Sequence, residues 1–257
     1  MHVAHSIPDA NTPTQAKTMR IENQTLQNAG GVWLEFSRRD YAETFHLQNI
    51  LCQKRQRGII PDVVILLEHA PCITIGRSGG HHNLLASKEV LERNGITVHE
   101  ATRGGDITYH GPGQLVCYPI LSLEGEKRDL HAYARKMEEV MIRTLHAFDI
   151  LAGRKPEYPG VWVGDRKIGA MGIAVRKWIT MHGIALNVCP DLEHFSLIVP
   201  CGIASHGVTS MAEILGHDID VATVRDEMRR QFADIFQILL RPARLEQLIE
   251  EDCLEKA

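Results

Sequence analysis

No stretch of this 257-residue chain approaches the roughly 18 to 20 consecutive apolar residues that a bilayer-crossing helix needs, and its start lacks the basic-then-apolar order of a secretory signal. These absences predict a soluble, cytoplasmic protein without membrane contact. Charge of one sign is also missing as a block: 28 Lys and Arg stand against 32 Asp and Glu, a net charge of −4. A nucleic-acid surface shows itself as a basic patch or stripe, so no nucleic-acid partner is expected. The six cysteines (Cys52, Cys72, Cys117, Cys189, Cys201, Cys253) form no CxxC pair. That argues against a zinc knuckle and against a dense disulfide framework. In a reducing compartment most of them are expected to be small buried hydrophobes, leaving one or two for chemistry.

With 44% apolar residues, the chain is long enough for one substantial core. Residues 1–31 are rich in Asn, Gln, Thr, Pro and Ala, end in Gly30-Gly31, and read as a flexible N-terminal extension. Residues 32–257 read as a single domain. Within it the pattern predicts strands over 32–37, 62–68, 72–76, 96–100 and 114–123. Helices are predicted over 41–57, over 87–94 behind a Ser87 cap, and over 129–148 with Asp129 at the positive end. Residues 167–176 and 179–188 read as a hairpin turning at Lys177-Trp178. The C-terminal third reads as helical over 210–215, 221–240 and 243–254, broken by Gly216 and Pro242. Strands and helices mixed with a hairpin predict an α/β (α+β) layered domain, a mixed β-sheet flanked by helices.

Three segments carry chemistry-bearing residues. The first, Arg103-Gly104-Gly105-Asp106-Ile107-Thr108-Tyr109-His110-Gly111-Pro112-Gly113-Gln114, reads as a loop whose glycines let main chain approach a ligand. It matches neither GxGxxG nor a phosphate loop. The second is Pro200-Cys201-Gly202-Ile203, followed by Gly207-Val208-Thr209-Ser210, a cysteine at a bend just ahead of a helix start. In the third, Lys167 opens the otherwise apolar strand Lys167-Ile168-Gly169-Ala170-Met171-Gly172. Taken singly, each pattern is equally at home in an ordinary structural role: a connection between strands, a buried thiol, a solvated hairpin edge.

Together they resemble the lipoyl(octanoyl) transferase family over nearly the whole chain after residue 31. The resemblance implies the fold shared by biotin and lipoate protein ligases. It also implies transfer of an octanoyl group from octanoyl-acyl carrier protein to a lysine of lipoyl domains, those of 2-oxoacid dehydrogenase complexes and the glycine cleavage H protein, with no cofactor. In that family the cysteine of the PCG motif carries the acyl thioester, and the lysine of the KIGA-like strand makes the thiol reactive. Here these positions are Cys201 and Lys167. The family's acyl-pocket segments fall on Arg103 to His110, on Ala170, Met171 and Gly172, and on Gly183, Ile184 and Ala185. Thr108 and His110 are expected to hydrogen-bond the thioester or the dyad. The family commonly places an acidic residue soon after the cysteine motif, whereas this chain reads Ala204-Ser205-His206. Three rival readings have distinct signatures: a ligase would need ATP, a hydrolase using His110 or His206 would release free octanoate, and a binding protein would not turn over.

Overall fold

The computed structural model describes residues 30–124, 128–199 and 206–249. Cys201, with the rest of 200–205, lies outside the described residues, as do 1–29, 125–127 and 250–257.

The first unit is strand β1 (Gly31–Arg39), helix α1 (Tyr41–Gln56) and strand β2 (Asp62–His69), with β1 and β2 parallel. Asp40 starts α1 by accepting the Glu43 backbone N–H at 3.1 Å, and Tyr41, Thr44, Leu47, Gln48 and Leu51 give it a buried stripe. Strand β2 is apolar at every position from Val63 to Leu67 because both faces are covered. Val63, Ile65 and Leu67 pack toward α1, whereas Val64 and Leu66 pack on the opposite face. At about 1.5–3 kcal/mol for each fully buried aliphatic side chain, this strand is a main anchor of the domain.

A second, smaller sheet follows. Strands β3 (Cys72–Ile75), β4 (Thr97–Glu100) and β5 (Ile107–His110) pair in the order β4-β3-β5, and helix α2 (Lys88–Arg93) behind its Ser87 cap covers them. Strand β5 corrects the reading of 103–114 as one loop. Ile107 and Tyr109 alternate into an apolar core with Ile73, Ile75 and Phe195, a two-residue period that the flanking glycines hide in the sequence.

The chain returns to the main sheet with β6 (Gln114–Ile120), then helix α3 (Leu130–His146). Asp129 caps α3 through the Ala132 N–H at 2.9 Å, and Tyr133, Met137, Val140, Met141 and Leu145 face the sheet at helical spacing. Strands β7 (Gly153–Lys155), β8 (Tyr158–Val163), β9 (Arg166–Arg176) and β10 (Ile179–Asn187) come next. The β9–β10 hairpin turns on Lys177 and Trp178, with φ of 48° and 64°. Two consecutive left-handed residues in a two-residue loop are what a primed turn between twisted strands requires.

The last third holds β11 (Gly207–Val208), α4 (Met211–Leu215), α5 (Val221–Phe236), β12 (Leu240–Pro242) and α6 (Glu246–Ile249). Helix α5 stops four residues short of the expected 240, because Gln237 turns left-handed at φ 52°. The chain then lays β12 parallel to Gly31–Trp33, which also places Gly31 in a strand rather than in the extension. The expected helix over 243–254 is described as far as Ile249, and only Glu246–Ile249 of it is helical. The main sheet has the order β12-β1-β2-β6-β10-β9-β8-β7, with β11 added beside β9. Helices α3 and α5 cover one face; α1 and α6 cover the other. No helix among the described residues is long and apolar enough to cross a membrane.

Candidate acyl-transfer site

A cavity opens on the α1 face of the main sheet, where β9 and β10 meet the edge of the small sheet. Its wall contains Ala170, Met171 and Gly172 of β9 and Gly183, Ile184 and Ala185 of β10, paired in register as Ala170–Ala185, Met171–Ile184 and Gly172–Gly183. Arg103, Gly105, Asp106, Thr108 and His110 close the opposite side. Free space for water-sized spheres is about 40 Å³, so the cavity is a slot rather than a chamber.

Strand alternation divides the first motif. Thr108 and His110 face the slot, while Ile107 and Tyr109 point away into the small sheet's core, where the Tyr109 hydroxyl lies 2.8 Å from His194 Nδ1. Gly104 contributes main chain, its N–H donating to the Ile173 carbonyl at 2.9 Å. The structure also adds Tyr41, Tyr118 and His182 to the wall. They come from three elements far apart in sequence. The one signal for any of them is that His182 directly precedes Gly183.

Arg103 is buried across the slot. Its Nη2 donates to the Thr74 carbonyl at 2.6 Å and to the Thr74 hydroxyl at 2.8 Å, and Nη1 donates to the Gly104 carbonyl at 3.1 Å. The side chain lies so close to β9 that a Cβ at Gly172 would stand 2.7 Å from Arg103 Cδ. Gly183 is tighter still, since a Cβ there would meet the Cys117 carbonyl oxygen, a backbone atom, at 2.1 Å. Gly183→Ala is therefore expected to force β10 away from β6 and to destabilise the protein by about 1–3 kcal/mol, the usual cost of overpacking. Urea unfolding measures it, and an unchanged midpoint would show that the wall is not packed this closely.

His110 and His182 line the slot, His69 lies behind them with its ring 5.8 Å from that of His110, and all three stay neutral at physiological pH. Burial pushes His110 down to about 3, helped by the charge His69 would carry. Burial likewise lowers His182 to about 3, with the Arg103 and Arg77 guanidinium groups adding to it. His69 falls to about 4 by burial, against the opposing pull of the Arg39 carbonyl and Asp40. His69 Nδ1 donates to the Arg39 carbonyl at 3.0 Å, which leaves Nε2 to accept from the Tyr118 hydroxyl at 2.9 Å. In the unfolded chain these groups bind protons below about pH 6.5, whereas the folded state refuses them until pH 3–4. Their contribution to stability is thus fully present above about pH 6.5 and is lost as pH falls through that window. Each should cost on the order of 2 kcal/mol by pH 5. Denaturant titrations at pH 7 and pH 5 test this, and His182→Phe should reduce the difference; equal stability at both pH values would contradict it.

Lys167 reaches the same face of the sheet by a break in the strand pattern. Ala170 and Gly172 face the slot, so an unbroken two-residue alternation would turn Lys167 the other way. Between β8 and β9 the register shifts: Val161 pairs with Gly169 but Trp162 with Lys167, which leaves Ile168 as an extra residue. Ile168 packs into the core beneath α3, and a Cβ at Gly169 would meet Met141 of that helix. Lys167 is thereby returned to the slot's face. Its Nζ lies 5.1 Å over the Trp162 ring, and its stem packs where Gly160 has no side chain: a Cβ there would stand 2.9 Å from Lys167 Cε. The strand after the cysteine segment lies alongside, with Gly207 paired to Arg166 and Val208 to Lys167, and the Thr209 N–H donates to the Lys167 carbonyl at 2.9 Å. His206 edges the same tryptophan at 5.4 Å.

The four described cysteines offer no competing nucleophile. Cys52, Cys72 and Cys117 are buried, and burial pushes all four thiols up, Cys72 and Cys117 far above the usual range. Among the described residues no group of three or more His, Cys, Asp or Glu side chains is placed to hold a metal ion.

Known proteins match this arrangement. The Lipoyl protein ligase A/B catalytic domain family matches residues 40–233. An octanoyltransferase from Clostridium kluyveri is 44% identical over 215 residues, 83% of this chain and 92% of that protein. One from Solibacter usitatus is 48% identical over 208 residues, 81% of this chain and 94% of that protein. A solved bi-partite lipoate protein ligase from Thermoplasma acidophilum superposes with a TM-score of 0.67 at 20% identity, over 87% of this chain and 92% of that one, a likeness of fold. Three quarters of the chain fit the family, and the two octanoyltransferases align over 81–83% of it and 92–94% of their own length: the chain belongs to the lipoyl protein ligase A/B catalytic domain family, among its octanoyltransferases.

Proposed function

We propose that the chain transfers an octanoyl group from octanoyl-acyl carrier protein to a lysine of a lipoyl domain through a thioester on Cys201, with Lys167 moving the proton. The octanoyltransferases that match at 44–48% identity over most of both chains support the acyl group and the reaction class. The observation that carries the site assignment is the bulge at Ile168, which turns Lys167 onto the slot's face beside the strand that follows the cysteine segment.

The chemistry balances without an added energy source. A thiolate is the attacking species, and an ammonium group nearby favours it over the thiol. Cys201 sulfur attacks the carrier thioester carbonyl, the carrier sulfur leaves, and the Lys167 ammonium protonates it. Lys167, now neutral, takes a proton from the incoming lysine amine as that nitrogen attacks the enzyme thioester. The amide forms, the Cys201 thiolate departs, and Lys167 is again an ammonium. Ala170, Gly172 and Gly183 line the slot with little side-chain bulk, which suits an unbranched acyl chain at roughly 0.8 kcal/mol per buried methylene.

Acyl carrier protein as donor and lipoyl domains as acceptors are the partner classes this reaction requires. The lipoyl domains of 2-oxoacid dehydrogenases and the glycine cleavage H protein are the proposed acceptors, and the cytoplasm the proposed location. Octanoyl-carrier protein and a lipoyl domain mixed with the enzyme in nucleotide-free buffer should yield octanoylated domain. A strict ATP requirement would move the chain to the ligases, and free octanoate as main product would make it a hydrolase.

A further inference from the structure

A run of buried amides links the slot to the strand that carries Lys167. His110 Nδ1 lies 2.6 Å from Gln114 Oε1, Gln114 Nε2 donates to Asn187 Oδ1 at 2.9 Å and to the Tyr109 carbonyl at 3.2 Å, and Asn187 Nδ2 donates to the Thr209 carbonyl at 2.9 Å. The Thr209 N–H completes the path to the Lys167 carbonyl. Gln114 and Asn187 are direct cross-strand partners of β6 and β10, and His110, Gln114, Asn187 and Thr209 are all buried.

The donor pattern has one solution. The Thr209 carbonyl can only accept, so Asn187 turns its NH2 toward it and its oxygen toward Gln114. Gln114 must then give its NH2 to Asn187 and its oxygen to His110, and His110 Nδ1 must carry the hydrogen. His110 Nε2 is left as the lone-pair nitrogen of a neutral ring in the slot's wall.

We propose that Asn187 and Gln114 are positioning residues for acyl transfer. They fix the tautomer and orientation of His110 at the slot, and through Thr209 they tie that wall to the strand pair that holds Lys167, so the acyl pocket and the lysine are held as one piece. This rests on the reading of Cys201 and Lys167 given above. A fully satisfied buried network of this kind holds its members in one arrangement, whereas one broken member leaves unpaired dipoles on both sides.

Asn187→Asp keeps the shape and the acceptor for Gln114 but points a second oxygen at the Thr209 carbonyl. At pH 8, kcat should fall about tenfold or more, as for a buried acceptor left unpaired, while KM for octanoyl-carrier protein stays within about threefold. The deficit relative to wild type should shrink toward pH 6, because protonating the buried carboxyl restores a donor. Gln114→Glu should show the same acid recovery, and it serves as the second variant should Asn187→Asp fail to fold. A lower unfolding midpoint with wild-type kcat and a wild-type pH profile in the folded variants would reduce the network to a structural role and overturn the proposal. Intact mass in the same experiment separates the two readings. Wild type without an acyl adduct rejects the Cys201 thioester, whereas wild type with an adduct and Asn187→Asp acylating at the wild-type rate rejects the positioning role.

Discussion

Cys201→Ala should leave a folded protein that acquires no octanoyl group and modifies no lipoyl domain. Among the described residues, the alternative thiols are poor nucleophiles. Cys72 and Cys117 are sealed in apolar cores where burial holds the thiol protonated, and Cys52 and Cys189 are shifted the same way. An acyl group moved without a covalent intermediate would have to pass directly from the carrier to the amine, losing the division of one hard step into two easier ones. The loss should therefore approach the limit of detection in a transfer assay, and an unfolding curve for the variant separates lost chemistry from lost structure. Full transfer by Cys201→Ala would remove the thioester from the mechanism.

Lys167→Ala should act on both half-reactions. Without the ammonium, the thiol returns toward the few per cent of thiolate that a free cysteine shows at neutral pH, and acylation slows. Without the amine, the attacking lysine loses its proton acceptor, a contribution typically worth about 10²- to 10⁴-fold. Lys167→Arg separates the two effects. Arginine keeps the charge but cannot give up a proton, so acylation should largely survive while transfer to the lipoyl domain stalls and the acyl-enzyme accumulates. Rapid-quench measurement of each half-reaction checks this. Equal rates for Lys167→Ala and wild type in both halves would exclude the lysine from the chemistry.

Local features of the fold were readable from the sequence because their causes are local. Ser87 and Asp129 precede apolar-periodic runs and do cap them, and Lys177-Trp178 between two apolar strands does make the hairpin turn. Features set by distant partners were not readable. Strand β5 hides among glycines because it is defined by antiparallel pairing with β3, where Thr108 stands opposite Thr74, 34 residues earlier. Strand β12 exists because Gly31–Trp33 offers it an edge. The site divides the same way. The glycines of 103–114 announced close approaches, and Gly113 makes one against the Cys189 carbonyl; those of Gly172 against Arg103 and Gly183 against the Cys117 carbonyl depend on strand partners. The bulge at Ile168 left no mark in the sequence, since it is a mismatch with β8 and not a property of β9. Without it, alternation alone would have placed Lys167 on the wrong side of the sheet. Tyr41, Tyr118 and His182 escaped for the same reason: each looks like an ordinary core residue until three elements bring them to one wall.

The central claim is that the acyl group rests on Cys201 between donor and acceptor. Intact-mass spectrometry of the wild-type enzyme, mixed with octanoyl-carrier protein in the absence of nucleotide and lipoyl domain, tests it directly. The account predicts a mass gain of one octanoyl group, mapped to the peptide containing Cys201, released by hydroxylamine and discharged when lipoyl domain is added. An enzyme that octanoylates lipoyl domain at full rate yet never carries the group, or carries it elsewhere, would contradict it.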